Sequence, residues 1–130
     1  MPAKVMQGFL LDVPDTPGAL HMITSRLAKA AVNIAGIGGM SFDGHAKIGL
    51  VTESTLATRE VLREVDANVR PVEYLVVAAK DKPGELDRYL TRLSEAGLNI
   101  MCLVPIFGTE PRLAFAVDDP VKGREVLRTI

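Results

Sequence analysis

Short apolar runs recur along this chain, each closed by proline or a charged residue and followed by a stretch of helical spacing. Met6 to Val13 reads as a strand ending at Pro14 and Asp15, and Val72 to Ala79 as a strand ending at Lys80 and Asp81. Leu20, Ile23, Leu27 and Ala30 then follow at intervals of three and four, as do Leu86, Tyr89, Leu93 and Ala96, so each helix has one apolar face. Asp15 or Thr16 is the expected cap of the first helix, with Pro17 in its first turn, where proline's missing N–H costs nothing. Asn33 and Asn99 end the helices and open the second strands. Second and third strands are joined by FDGHA, where Asp43-Gly44 suits a tight hairpin turn, and in the later copy by FGTEPR. A helix from about Ser54 to Asp66 follows the first hairpin. Another follows the second, from Pro120 to the end, with Asp119 as its cap.

The same order appears twice because the sequence repeats. At an offset of 66 residues, nine of the twenty positions from Asp15 to Ile34 are identical to those from Asp81 to Ile100, including DTPGAL against DKPGEL and the NI pair. The same offset carries Lys47 to Val51 onto Leu113 to Val117. REVLR at 59 to 63 recurs at an offset of 65, which places the gain or loss of one residue just before it. This is the mark of a duplicated unit of about sixty residues. The expected fold is α+β: two ferredoxin-like β-α-β-β-α-β modules in tandem, residues 1–70 and 71–130, with antiparallel sheets and helices on one face.

Two features bear on assembly. Only Val69 to Ala79 separates the second helix of the first module from the first helix of the next, so it serves as closing strand of one and opening strand of the other. No later segment closes the second module, so its edge calls for another segment or chain. The strands are also apolar on both faces, Tyr74 and Val76 opposing Leu75 and Val77, which calls for cover from the other unit or from a second copy. A homodimer is the expectation.

Composition changes the picture mainly by exclusion. A net charge of −1, six aromatics and no tryptophan give no case for nucleic-acid binding. No stretch approaches the roughly 18 apolar residues of a membrane span, and one cysteine, Cys102, fits a reducing cytoplasm. His21 and His45 with that cysteine show no metal-ligand spacing, and Cys102 in MCLVPI reads as a buried inert thiol. No cofactor is expected.

A strand, D-x-P-G-x-L, an amphipathic helix and A-x-x-N-I, present twice, resemble the ACT domain, a small regulatory module that binds amino acids. The resemblance implies side-by-side pairing of modules, a ligand at the interface between them, and a sensory role without catalysis. Carried onto this sequence, the ligand-binding positions are Asp15, Thr16, Pro17, Gly18, Ala19 and Asn33, and in the second copy Asp81, Pro83, Gly84 and Asn99. The residue types suit the chemistry. Helix N–H groups beside Gly18 attract an α-carboxylate, Asp15 takes the ammonium, and Asn33 offers both a donor and an acceptor from across an interface. Helix-start and turn grammar explain the same residues without a ligand.

Pro105 interrupts the second strand of the second unit, so the first site is the stronger of the two. The leading reading is a stand-alone amino-acid sensor that modulates a metabolic enzyme. The alternative is a permanently bound regulatory subunit of a biosynthetic enzyme such as an acetolactate synthase. An acylphosphatase-like enzyme would need an arginine on the loop before the first helix, and Arg26 falls inside that helix.

Overall fold

The computed structural model describes residues 3–128. The chain forms two compact units, one of Gln7–Val72 and one that joins the described part of the first six residues to the chain from Glu73 onward.

In the Gln7–Val72 unit, β1 (Lys4–Pro14) and β2 (Ile34–Phe42) both pair antiparallel with β3 (His45–Thr52). Leu11 lies opposite Ile48, and Ile37 opposite Leu50. α1 (Ala19–Lys29) and α2 (Thr55–Leu62) cover one face, where Phe9, Leu11, Val13, Ile23, Leu27, Leu50 and Leu62 form the core. Asp43 and Gly44 both take positive φ, 52° and 77°, the pattern of the hairpin turn that the Asp-Gly pair predicts. Ser54 caps α2 by accepting the Ala57 N–H.

In the other unit, β4 (Asn68–Ala78) and β5 (Ile100–Ile106) flank β6 (Arg112–Val117). α3 (Glu85–Glu95) and α4 (Pro120–Leu127) complete it. Leu75, Val77, Tyr89, Leu93, Phe115, Val117 and Leu127 form its core, with the Tyr89 and Phe115 rings 6.1 Å apart. Asp119 caps α4 through the Lys122 N–H, as its position predicts. The predicted continuation of this helix beyond residue 128 lies outside the described residues.

The expectation of two separate ferredoxin-like modules in tandem is overturned. The six strands run in one closed order, β1-β3-β2-β5-β6-β4. The physical reason lies in the two longest strands. β1 and β4 have 11 residues each, and each is divided: the first residues of β1 belong with Glu73 onward, and Asn68–Val72 belong with the first unit. Ala3 is buried in the core around Leu75 and Phe115, and Val5 packs against it. The segment that completes the second unit therefore comes from the start of β1. In the closed order no strand is left as an edge. On the second faces Val51, Tyr74, Val76, Val104 and Ala114 are all buried.

The repeat needs a smaller correction. Leu11 and Val77 are 66 apart, whereas their partners Ile48 and Leu113 are 65 apart. The residue is therefore lost in the β5–β6 turn, ahead of the third strand and not just before the REVLR helix. Both copies keep the same register shift, between Ile34 and Gly36 and between Ile100 and Cys102.

Candidate functional site

The DTPGAL loop does not start its helix as expected. Gly18, and neither Asp15 nor Thr16, sits at the N-cap of α1, with φ 85° and ψ −1° and no side-chain cap. The Ala19 N–H donates to the Thr16 carbonyl at 3.1 Å. Proline followed by a glycine at these angles is the central pair of a type II turn, a conformation that only glycine reaches cheaply. The second copy repeats it: Gly84 has φ 86° and ψ −6°, and the Glu85 N–H donates to Lys82 O. The turn is tied to the hairpin by the Asp15 N–H, which donates to Gly44 O at 2.9 Å. The Leu20 and His21 amides, in the first turn of α1, find no acceptor among the described residues.

This turn forms one wall of a cavity of about 400 Å³ within the first unit. Asp15, Thr16, Gly18, Ala19 and His21 line one side. Gly39, Met40 and Ser41 of β2, with Ala46 and Ile48 of β3, line the other. Of these strand residues only Gly39 is marked by the sequence, where Gly36, Gly38 and Gly39 read as a loose strand whose backbone a ligand could approach; Met40, Ser41, Ala46 and Ile48 are not. A further signal was present in the repeat, because Gly39 stands opposite Ile48 where Pro105 stands opposite Leu113. A Cβ on Gly39 would come within 3.2 Å of Lys47 O, a tight contact that the paired strand would have to yield to by a few tenths of an ångström.

Asn33 is not part of this cavity. It opens β2 at the Thr52 end of β3, whereas Pro14, just ahead of the turn, lies opposite His45 at the other end. Asn33 Nδ2 donates to Glu53 Oε1 at 3.0 Å, and the Glu53 N–H donates back to Asn33 O. Asn99 is held likewise, its N–H donating to Asp118 Oδ1 at 3.0 Å. Leu20 and Leu86, assigned to the apolar helix faces, are exposed, and the buried positions are Ile23, Leu27, Tyr89 and Leu93.

The two copies of the turn differ chemically. Position 19 is alanine, and its counterpart Glu85 is a buried carboxylate. Glu85 accepts the Lys80 N–H at 2.7 Å and the Arg88 Nε–H at 2.9 Å. These two bonds, the backbone one first, hold its pKa below the ordinary glutamate value. Pro14, the counterpart of Lys80, has no N–H to offer, and Met22 replaces Arg88. In their place the first unit has a second cavity of about 290 Å³, lined by Val13, Pro14, Ala19, Met22 and Val65 together with Thr16 and Asp66. The first turn of α1 carries no acid, whereas α3 has Glu85 and Asp87 there.

Cys102 is half-buried, with the Tyr74 hydroxyl 3.8 Å from its sulfur, and burial pushes its thiol pKa up. Among the described residues no group of three His, Cys, Asp or Glu side chains could hold a metal ion. No described helix is long and apolar enough to cross a membrane.

No family model and no curated protein matches the chain. Among solved structures it is similar to protein BT0572 from Bacteroides thetaiotaomicron, with 18% identity and a TM-score of 0.81 over 98% of this chain and 89% of that one. It is similar to the regulatory subunit of aspartate kinase from Thermus thermophilus in its ligand-free form, with 13% identity and a TM-score of 0.71 over 99% and 94%. The alpha and beta subunits of aspartokinase align at 18% identity and a TM-score of 0.67 over 99% and 96%. At these identities the likeness is one of fold, and that fold is ACT-like.

Proposed function

We propose that this protein is a non-catalytic regulator that binds a small amino acid in the cavity of its first unit and modulates an enzyme of amino-acid metabolism in the cytoplasm. The observation that carries the reading is the cavity wall made by the DTPGAL turn. The unpartnered amides of Leu20 and His21 suit an α-carboxylate, and the absence of acid from the first turn of α1 leaves that field uncancelled. Asp15 supplies the anion for an α-ammonium. Met40, Ala46 and Ile48 are apolar, so the side chain that fits is uncharged.

The second turn is the weaker site. Glu85 and Asp87 in the first turn of α3 repel a carboxylate, and Pro105 occupies the position of Gly39. Asp81, Pro83 and Gly84 there keep the backbone turn, whereas Lys82 and Glu85 replace Thr16 and Ala19.

The partner reading draws on the neighbours, since a regulatory subunit of aspartate kinase has this fold over nearly its whole length. A biosynthetic enzyme that this chain joins as a subunit is therefore the second reading. Leu20 and Met40 line the same cavity and are exposed, which supports a second copy as cover and a route by which another chain's Asn33 reaches the ligand.

A thermal-shift screen of the twenty amino acids tests the reading. A true ligand at a hundred times its Kd adds about 2.7 kcal/mol to stability. One or a few uncharged amino acids are expected to raise Tm, and Asp15→Ala is expected to remove the shift while the protein stays folded. No response to any of the twenty, or an undiminished response in Asp15→Ala, overturns it.

A further inference from the structure

The two copies also differ on the sheet face away from their helices. In the first unit Asp12 lies directly opposite Lys47 across β1 and β3. Its carboxylate binds the Lys47 ammonium through one oxygen and His45 Nδ1 through the other at 2.9 Å. At the equivalent pair in the second unit, Ala78 lies opposite Arg112. The cation is kept and its carboxylate is gone. Among the described residues neither Arg112 nor Lys4 has an acidic partner. Both line a cavity of about 350 Å³ with Val76, Ala78, Thr109 and Glu110.

We infer that this cavity binds a small monocarboxylate, whose carboxylate takes the place beside Arg112 that the Asp12 side chain takes beside Lys47 in the first unit. A guanidinium presents a planar fork of N–H donors that matches a carboxylate through two parallel hydrogen bonds, which an ammonium cannot do. Arg112 is half-buried and Val76 is buried, so the cation is partly shielded from water on the cavity side. Lys4 adds a second positive charge from the start of β1. Glu110, the one acid in the lining, lies two residues before Arg112, as His45 lies two residues before Lys47. It selects against dianions such as phosphate and favours ligands with a donor group beside the carboxylate. The cavity lies in the second unit and shares no residue with the amino-acid site proposed above, so the two readings stand or fall separately.

Sodium acetate, balanced with sodium chloride at constant ionic strength, is the probe, followed by amide and Arg Nε resonances in two-dimensional NMR at pH 7. Saturable shifts are expected at Thr109 and Arg112. Arg112→Gln is expected to weaken the apparent affinity at least tenfold, and Lys4→Gln a few-fold. Ala78→Asp restores the internal carboxylate opposite Arg112 and is expected to abolish acetate binding in a protein that remains folded. Shifts that grow linearly without saturating, that persist unchanged in Arg112→Gln, or that are confined to residues 15–21 overturn the inference. Competition by inorganic phosphate at equal concentration, stronger than acetate itself, overturns the assignment to monocarboxylates.

Discussion

Ala31 and Gly97 follow α1 and α3 at the same place in the repeat, and both hold left-handed backbone, at φ 57° and 75°. Glycine reaches that region freely, whereas a residue with a Cβ pays roughly 1–2 kcal/mol to stay there. Ala31→Gly should therefore raise stability by about 0.5–1 kcal/mol once glycine's extra unfolded-state entropy is subtracted, seen as a higher urea midpoint with an unchanged slope. Gly18→Ala should do the reverse and cost about 1–2 kcal/mol. The cause there is backbone strain alone, since a Cβ at Gly18 would meet nothing within 4 Å. Gly123 is the contrasting case: its φ is not positive, but a Cβ would come within 2.8 Å of Leu75 Cδ1 and 2.9 Å of Val117 Cγ2. Gly123→Ala should destabilise in spite of alanine's helix preference of about 1 kcal/mol, because overpacking a core costs roughly 1–3 kcal/mol. A midpoint that rises in Gly123→Ala would show that α4 shifts to make room. The sequence marked Gly18 for its missing side chain, beside the amides of a helix start, whereas the structure uses its freedom to take a positive φ. D-x-P-G is compatible with a helix cap and with a type II turn, and what separates them is the angle at Gly18, which no letter specifies.

At the scale of elements, the clearest difference between α1 and α3 is the buried carboxylate that opens α3. Glu85 holds its proton less readily in the folded protein than in the unfolded chain, because the Lys80 N–H and the Arg88 guanidinium bind its ionised form. Its contribution to stability is therefore full above the ordinary glutamate pKa and is lost as pH falls through the depressed folded value. Glu85→Gln should lower stability at pH 7 and flatten the fall in urea midpoint on the acid side of pH 4.5, the ordinary glutamate value. Parallel pH profiles for the two proteins would show that the carboxylate is not ionised in the fold. Within elements much was legible. The strand-helix-strand-strand-helix order, the Asp43-Gly44 turn and the Asp119 cap each depend on neighbours a few residues away. Strand partners were not legible in the same way, because nothing local tells β2 that β5 follows it in the closed order. The cavity walls were half legible. The turn residues carried a motif and Gly39 lay in a glycine-rich strand, whereas Ser41 and Ala46 show their role only when β2 and β3 are laid side by side.

At the scale of the whole molecule, the start of β1 belongs to the unit that begins at Glu73. Reading the repeat placed a module boundary near residue 70 and left the second module without a closing strand. The missing piece was out of reach because it lies some seventy residues upstream of the strands it joins, in a stretch that looked like the opening of the first module. Ala3 is 3% exposed and packs in the Leu75, Phe115 and Leu127 core, with Val5 against it. Deleting residues 1–6 should therefore weaken the second unit while leaving every residue of the Gln7–Val72 unit in place. Burial of one valine-sized side chain is worth roughly 1.5–3 kcal/mol, so a loss of about 2 kcal/mol or more is expected. The location of the loss is the sharper test. Native-state hydrogen exchange should show protection falling at Leu75–Ala78 and Arg112–Val117 while β3, His45–Thr52, keeps more of its own. The shortened chain should also expose strand edge at β4 and so self-associate more than the full one, measurable by light scattering across a concentration series. Uniform loss of protection in both units would mean that they unfold as one cooperative block. Unchanged protection in β4 and β6 would mean that the first residues add nothing to the second core.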